Sequence, residues 1–225
     1  THNDNDFPMS VPTSSKHAFL DRDQSILAFN ERVLDWARRP EVPLLERLRY
    51  LAIVSSNLDE FFEVRFAPHL AAFQANEQRG VVSAQTYREI SDKVQHLVAQ
   101  QYAIYNDDLM PLLDKKGIKV VAHSERNSHQ KRWVKEYFLQ EVQPLLLPVG
   151  LDPSHPFPQV ANKSLNFIVR LAGRDAFGRE NEIAIVKVPR ALPRYVRIPG
   201  ARGSKQANFV SISSIIRSHL NDLFP

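Results

Sequence analysis

The sequence predicts an α+β protein in which an all-α helical domain, residues 16–118, precedes an α+β domain, residues 119–225. Three observations carry this. Up to Ile118 the apolar residues recur every three or four positions over long runs, the period of helices. Beyond it they shift to short alternating stretches, Leu165, Phe167, Val169 and Leu171 ahead of an apolar run at 183–188, the period of strands. The charge changes at the same place: residues 1–118 carry 13 Lys/Arg against 17 Asp/Glu, a balance of −4, whereas residues 119–225 carry 16 against 8, a balance of +8.

Taken in order, residues 1–15 are polar, interrupted by Pro8 and Pro12, and predict a disordered tail. Asp21 or Asp23 caps a first helix whose Ile26, Phe29, Val33 and Ala37 form one face up to Pro40. Residues 41–66 predict a long amphipathic helix, with Pro43 at its first position and Leu44, Leu48, Leu51, Leu58, Phe62 and Phe66 on the face that seeks a core. A shorter amphipathic piece at 69–78 ends at Gly80. Ser83 opens a second long helix through Tyr87, Ile90, Val94, Leu97, Gln101 and Ile104. Pro111 bends or ends it, and Gly117 supplies a C-cap.

The second half predicts a strand at 118–121, a helix over 128–142 that stops at Pro144, and a hairpin from 165–171 to 183–188. A further strand at 195–198, a loop over 200–208 and a last helix capped by Ser211 and ending at Pro225 complete it.

Ser55-Ser56-Asn57 breaks the apolar texture of the central helix with indifferent helix formers. On the wheel Asn57 lies beside Tyr50, Ile53, Phe61 and Val64, while Ser56 points toward Ala52 and Leu45. Two readings stand for Asn57: an amide that reads the hydrogen-bonding edge of a ligand, or one satisfied inside the protein by a neighbouring helix or water.

Composition excludes several chemistries. There is no cysteine, so disulfides, thiolate metal sites and thiol nucleophiles are absent. No apolar run reaches the roughly 20 residues of a membrane span, and the polar start has no signal-peptide character. A cytoplasmic location follows, with peripheral membrane contact left open. None of the eight histidines has metal-ligand spacing, none is followed by both the Lys and the Asp of an H-x-K phosphohistidine site, and no G-x-x-x-x-G-K-[ST] loop exists. Asp59 and Glu60, adjacent on a helix, point about 100° apart and form no facing carboxylate pair. Arg49 and Glu60 share a flank with Asn57, open to a partner domain. From Lys187 to Arg217 run seven basic residues and no acid: Lys187, Arg190, Arg194, Arg197, Arg202, Lys205 and Arg217. Either a solvated face or a polyanion track accounts for them, with Arg190, Arg194 and Arg197 as its candidate contacts. The segment DPSHPFP, 152–158, is stiffened by three prolines and either displays His155 or serves as a conformational staple.

The runs FNERVL (29–34), PLLERLRYLAIVSSNLDEFFEVRF (43–66) and DPSHPFP resemble the N-terminal part of bacterial polyphosphate kinase, which moves the terminal phosphate of ATP onto polyphosphate through a phosphohistidine. The resemblance runs from about Asp21 to the C-terminus, and SSNLDEFF is its most specific block. One departure is Gln24-Ser25-Ile26, where the family has Leu-Ser-Trp. The resemblance implies that Asn57 contacts ATP and that the protein is a homodimer to which the second domain contributes. It places the phosphorylated histidine beyond residue 225, with Mg²⁺ held outside this segment. The segment alone is then inactive, supplying nucleotide contact and assembly, and no nucleic-acid partner is expected. Two rivals remain: a polyanion- or nucleic-acid-binding module, which lacks any helix-turn-helix, RNP or zinc pattern, and a purely structural dimerisation segment.

Overall fold

The computed structural model describes residues 21–151, 157–172, 183–200 and 205–224. The expected tail and His155 lie outside them. The α+β class holds: a helical unit ends at Leu109, and a mixed unit begins at Met110.

In the first unit α1 (Arg22–Arg38) is capped by Asp21, whose carboxylate accepts the Gln24 N–H at 2.8 Å. Its buried line is Leu27, Asn30, Leu34 and Ala37. The expected face therefore sits one residue off: Ile26 and Val33 flank the core, and Phe29 is 51% exposed. In α2 (Leu44–Val64) Pro43 is the N-cap and not the first helical residue, and the helix stops at Val64, leaving Phe66 to open α3 (Phe66–Gln74). The buried positions of α2 are Arg47, Leu51, Val54, Leu58 and Phe61, whereas Phe62 is largely exposed. Leu51 and Leu58 were common to both patterns; the centre of the face moves because α2 packs chiefly against α1 while Gln101, further along the chain, bonds the Leu51 carbonyl from another side. α4 (Ala84–Ala103) is capped by Ser83 as expected.

Pro111 does not end the helical run. A π-helical turn at Ile104–Leu109 leads directly into α5 (Met110–Lys115), and the proline lies just past this change of helical register. Gly117, at φ +80°, then turns the chain.

The second unit holds two three-stranded sheets. β1 (Ile118–Val120) pairs in parallel with β6 (Ala207–Ser211), which pairs antiparallel with β5 (Tyr195–Ile198). The other sheet, order β2-β4-β3, joins β2 (Leu147–Gly150), β4 (Ile183–Lys187) and β3 (Asn166–Arg170), all antiparallel. The β3–β4 hairpin was expected; β2 and β6 were not. Pro148 argues against a strand but is tolerated because β2 is an edge, and β6 occupies the end of the expected loop. Helix α6 (Ser128–Tyr137) continues as a π-helical turn, Phe138–Val142. α7 (Ile212–Ser218) is capped by Ser211 but ends seven residues early: the His219 N–H turns back to the Ile216 carbonyl at 3.0 Å and a 3-10 turn, Leu220–Asp222, follows. Phe138, Val186, Ile198, Val210, Ile215 and Ile216 form the centre of this core.

Candidate functional site

Asn57 lies in the third turn from the end of α2, half-buried, with its Nδ2 donating to Asn30 Oδ1 at 2.8 Å. Asn30, on α1, is fully buried, and its own Nδ2 donates to the Ile26 carbonyl at 3.2 Å. The orientation of both amides follows from chemistry. A backbone carbonyl only accepts, so the nitrogen of Asn30 must face Ile26. Its oxygen then faces Asn57, which must answer with its nitrogen. The Asn57 carbonyl oxygen has no partner among the described residues. The reading of Asn57 as an amide satisfied by a neighbouring helix therefore describes its nitrogen end, which is held by Asn30 of α1.

The expected ring of side chains is only partly available. Phe61 is 2% exposed and belongs to the core, and Tyr50 stacks on Trp36 at 6.0 Å, with Arg39 lying over Trp36 at 4.0 Å. Ile53 and Val64 are exposed, as is Ser56. Ser55 is explained by packing, since its hydroxyl accepts from Gln101 Nε2 at 2.6 Å. Arg49 is exposed and reaches Glu46 at 3.8 Å; Glu60 is exposed.

Two buried polar residues, Arg47 and Asn30, were passed over by sequence reasoning, and Asp23, a candidate cap there, makes a tertiary contact instead. Arg47 is buried, donates from Nε to the Ala37 carbonyl at 2.7 Å and pairs with Asp108. Asp23 receives His69 Nε2 at 2.8 Å and pairs with Arg65. Burial alone would raise the Asp23 carboxyl, but the hydrogen bonds and charges of His69 and Arg65 outweigh it and hold the pKa below the ordinary carboxylate range. Asn30 could have been found from the line Leu27, Asn30, Leu34, Ala37, in which a polar residue holds a core position. A groove of about 330 Å³, lined by Asp21, Gln24, Ser25, Ala28, Arg32 and Lys93, lies along α1 and α4 and does not include Asn57.

In the second unit the basic residues divide. Lys187 Nζ donates to the Gln159 carbonyl at 2.9 Å and Arg190 to that of Asn162 at 2.7 Å, so both hold the loop before β3. Arg194, Arg197 and Lys205 are exposed, and Arg202 lies outside the described residues. Arg126 is buried and donates to the hydroxyls of Ser214, at 2.5 Å, and Ser218, at 3.3 Å; burial pushes its pKa down. Among the described residues no three His, Asp or Glu converge, so none of them is assigned to a metal ion. Nor, among them, is any helix long and apolar enough to cross a membrane.

Comparison with known proteins accounts for both units. Residues 19–121 match the polyphosphate kinase N-terminal domain and residues 129–225 the polyphosphate kinase middle domain. The polyphosphate kinase of Burkholderia cenocepacia is 46% identical over 216 residues, which are 94% of this chain and 31% of that protein. That of Neisseria meningitidis serogroup B is 46% identical over 93% of this chain and 31% of its own length. The crystal structure of polyphosphate kinase from Porphyromonas gingivalis superposes with a TM-score of 0.75 at 29% identity, covering 91% of this chain and 31% of that one. The chain therefore spans about a third of the length of these relatives, and with both of its units matched it belongs to the polyphosphate kinase family, as the N-terminal part.

Proposed function

We propose that this chain is the nucleotide-contacting and assembly part of an enzyme that transfers the terminal phosphate of ATP to polyphosphate, with its phosphorylated histidine and Mg²⁺ site outside residues 1–225. The observation that carries the nucleotide contact is the open carbonyl oxygen of Asn57, fixed from behind by Asn30. A neutral amide of this kind suits a base or ribose better than a phosphate. Arg194 and Arg197, exposed beside Arg190, are the proposed polyphosphate contacts. Homodimerisation through the second unit is supported by the outer face of the β2-β4-β3 sheet, where Leu147 and Ile168 are 71% and 73% exposed.

The test is Asn57→Ala in the whole enzyme. Losing one hydrogen bond costs about 0.5–1.5 kcal/mol, so the KM for ATP rises roughly two- to twelve-fold with kcat little changed, while Ser56→Ala has a smaller effect. An unchanged KM with a lowered melting temperature makes Asn57 a structural amide only. The apolar sheet face also suits a purely structural dimerisation segment, and on that reading ATP does not bind the chain at all.

A further inference from the structure

We propose that Asn30 is a positioning residue which, by fixing the polarity of the Asn57 amide, makes the nucleotide site select a purine whose six-position donates a hydrogen bond over one whose six-position accepts. This rests on the nucleotide role of Asn57 proposed above.

An isolated asparagine is a poor discriminator, because rotation of its amide by half a turn exchanges donor and acceptor and lets it satisfy either kind of edge. Selectivity requires something that forbids the rotation. On this surface the constraint is a relay of three groups. The Ile26 carbonyl can only accept, so Asn30 turns its nitrogen to it, at 3.2 Å. Asn30 is fully buried, with no water to repair a reversed amide, so its oxygen stays directed at Asn57 Nδ2, at 2.8 Å. Turning Asn57 over would set two carbonyl oxygens against each other at that distance and strand the buried one. The oxygen of Asn57 is therefore the end left for a ligand. A 6-amino purine donates to it; a 6-oxo purine brings another acceptor.

The relay originates in the first helix, in a residue that touches no nucleotide. Asn30 sits where Leu27, Leu34 and Ala37 mark a core line, and a leucine there would satisfy packing at least as well. A buried amide at such a position is costly unless both its ends are used, and here the second end is used on Asn57.

The experiment compares kcat/KM for ATP and GTP in the whole enzyme carrying Asn30→Leu or Asn30→Asp. Asn30→Leu is close in shape and removes the acceptor, so Asn57 turns freely and the ATP preference falls by about tenfold, the weight of one mismatched hydrogen bond, through KM and not kcat. Asn30→Asp, held protonated by burial, keeps a hydroxyl to donate to the Ile26 carbonyl and an oxygen facing Asn57 Nδ2, and the wild-type preference survives. A structural role for Asn30 would alter stability in both variants without moving the ratio. If Asn30→Leu folds and keeps the full preference while Asn57→Ala still raises the KM for ATP, the positioning role is wrong and the nucleotide role stands. If Asn57→Ala leaves the KM for ATP unchanged, the nucleotide reading fails and takes this one with it. Should Asn30→Leu not fold, Asn30→Asp decides alone: a lost preference there overturns the proposal.

Discussion

Replacing Asp23 by alanine removes the one acceptor shared by His69 and Arg65, and the structure sets the size of the effect. Asp23 lies at the start of α1, whereas Arg65 and His69 belong to the junction of α2 and α3, so the carboxylate ties the entry of the first helix to the far end of the second. The two losses differ. The Arg65 side chain is 28% exposed and can turn to water, but that of His69 is 2% exposed and cannot. Its Nδ1 is already buried without a partner among the described residues, so the variant strands both ring nitrogens. A hydrogen bond to a charged group contributes about 1.5–3 kcal/mol, and with a smaller share from Arg65 the variant should lose about 2–4 kcal/mol. Urea unfolding of this chain, followed by circular dichroism, measures it. The pH dependence provides a second check. Because the folded pKa of Asp23 is depressed, its stabilisation is present above the unfolded pKa and lost as pH falls through the folded value. The gap between wild type and variant should therefore close below about pH 4. A gap under about 1 kcal/mol at neutral pH, or one indifferent to acid, refutes the reasoning.

Three further outcomes are expected. Polyphosphate should bind residues 119–225 weakly and salt-dependently, and Arg194→Glu with Arg197→Glu should remove more of this binding than Arg190→Glu, since Arg190 already holds the Asn162 carbonyl; binding indifferent to salt and to reversal makes the run a solvated face. Gly117→Ala should cost about 1–2 kcal/mol in the same unfolding assay, from its φ of +80° and not from crowding, because an added Cβ would lie 3.5 Å from the Lys205 carbonyl, an ordinary contact. The chain alone should acquire no acid-labile phosphate from labelled ATP, as no histidine in it is followed by both the Lys and the Asp of an H-x-K phosphohistidine site; stable labelling would place the nucleophile within these residues.

Helices and caps were the legible part of the sequence. Asp21, Ser83 and Ser211 each cap the helix expected of them, because capping is a local matter of one side chain and an N–H three residues on. Which face of a helix is buried depends on neighbours, and so Phe29 and Phe62 were placed inside while Asn30 and Arg47 were left out. Hydrophobicity ranks these residues correctly in isolation; the buried pair of polar residues is sustained by the Ile26 and Ala37 carbonyls, partners that no periodicity reveals. Strands β2 and β6 failed for related reasons. Pro148 is acceptable only on an edge, and β6 is the middle strand of its sheet, held by β5 nearby and by β1 far away in the chain. The polar interruption at Asn57 was legible in an apolar helix, but the Asn30 side chain that bonds it was not.

The pairing of Ile118 with Ala207 also governs the order of events during synthesis. The helical unit can gather its α1–α2 and α3–α4 contacts as each helix leaves the ribosome. Strand β1 appears just after it, yet its ladder partner is made only when almost the whole second unit has been translated. Until then β1 has no ladder partner, and closing so long a loop before the contacts that reward it is the slow kind of folding. During that interval the nascent chain exposes the strand to wrong pairing. Translation speed between β1 and β6, and chaperone access over the same stretch, should therefore control the yield of the second unit far more than that of the first.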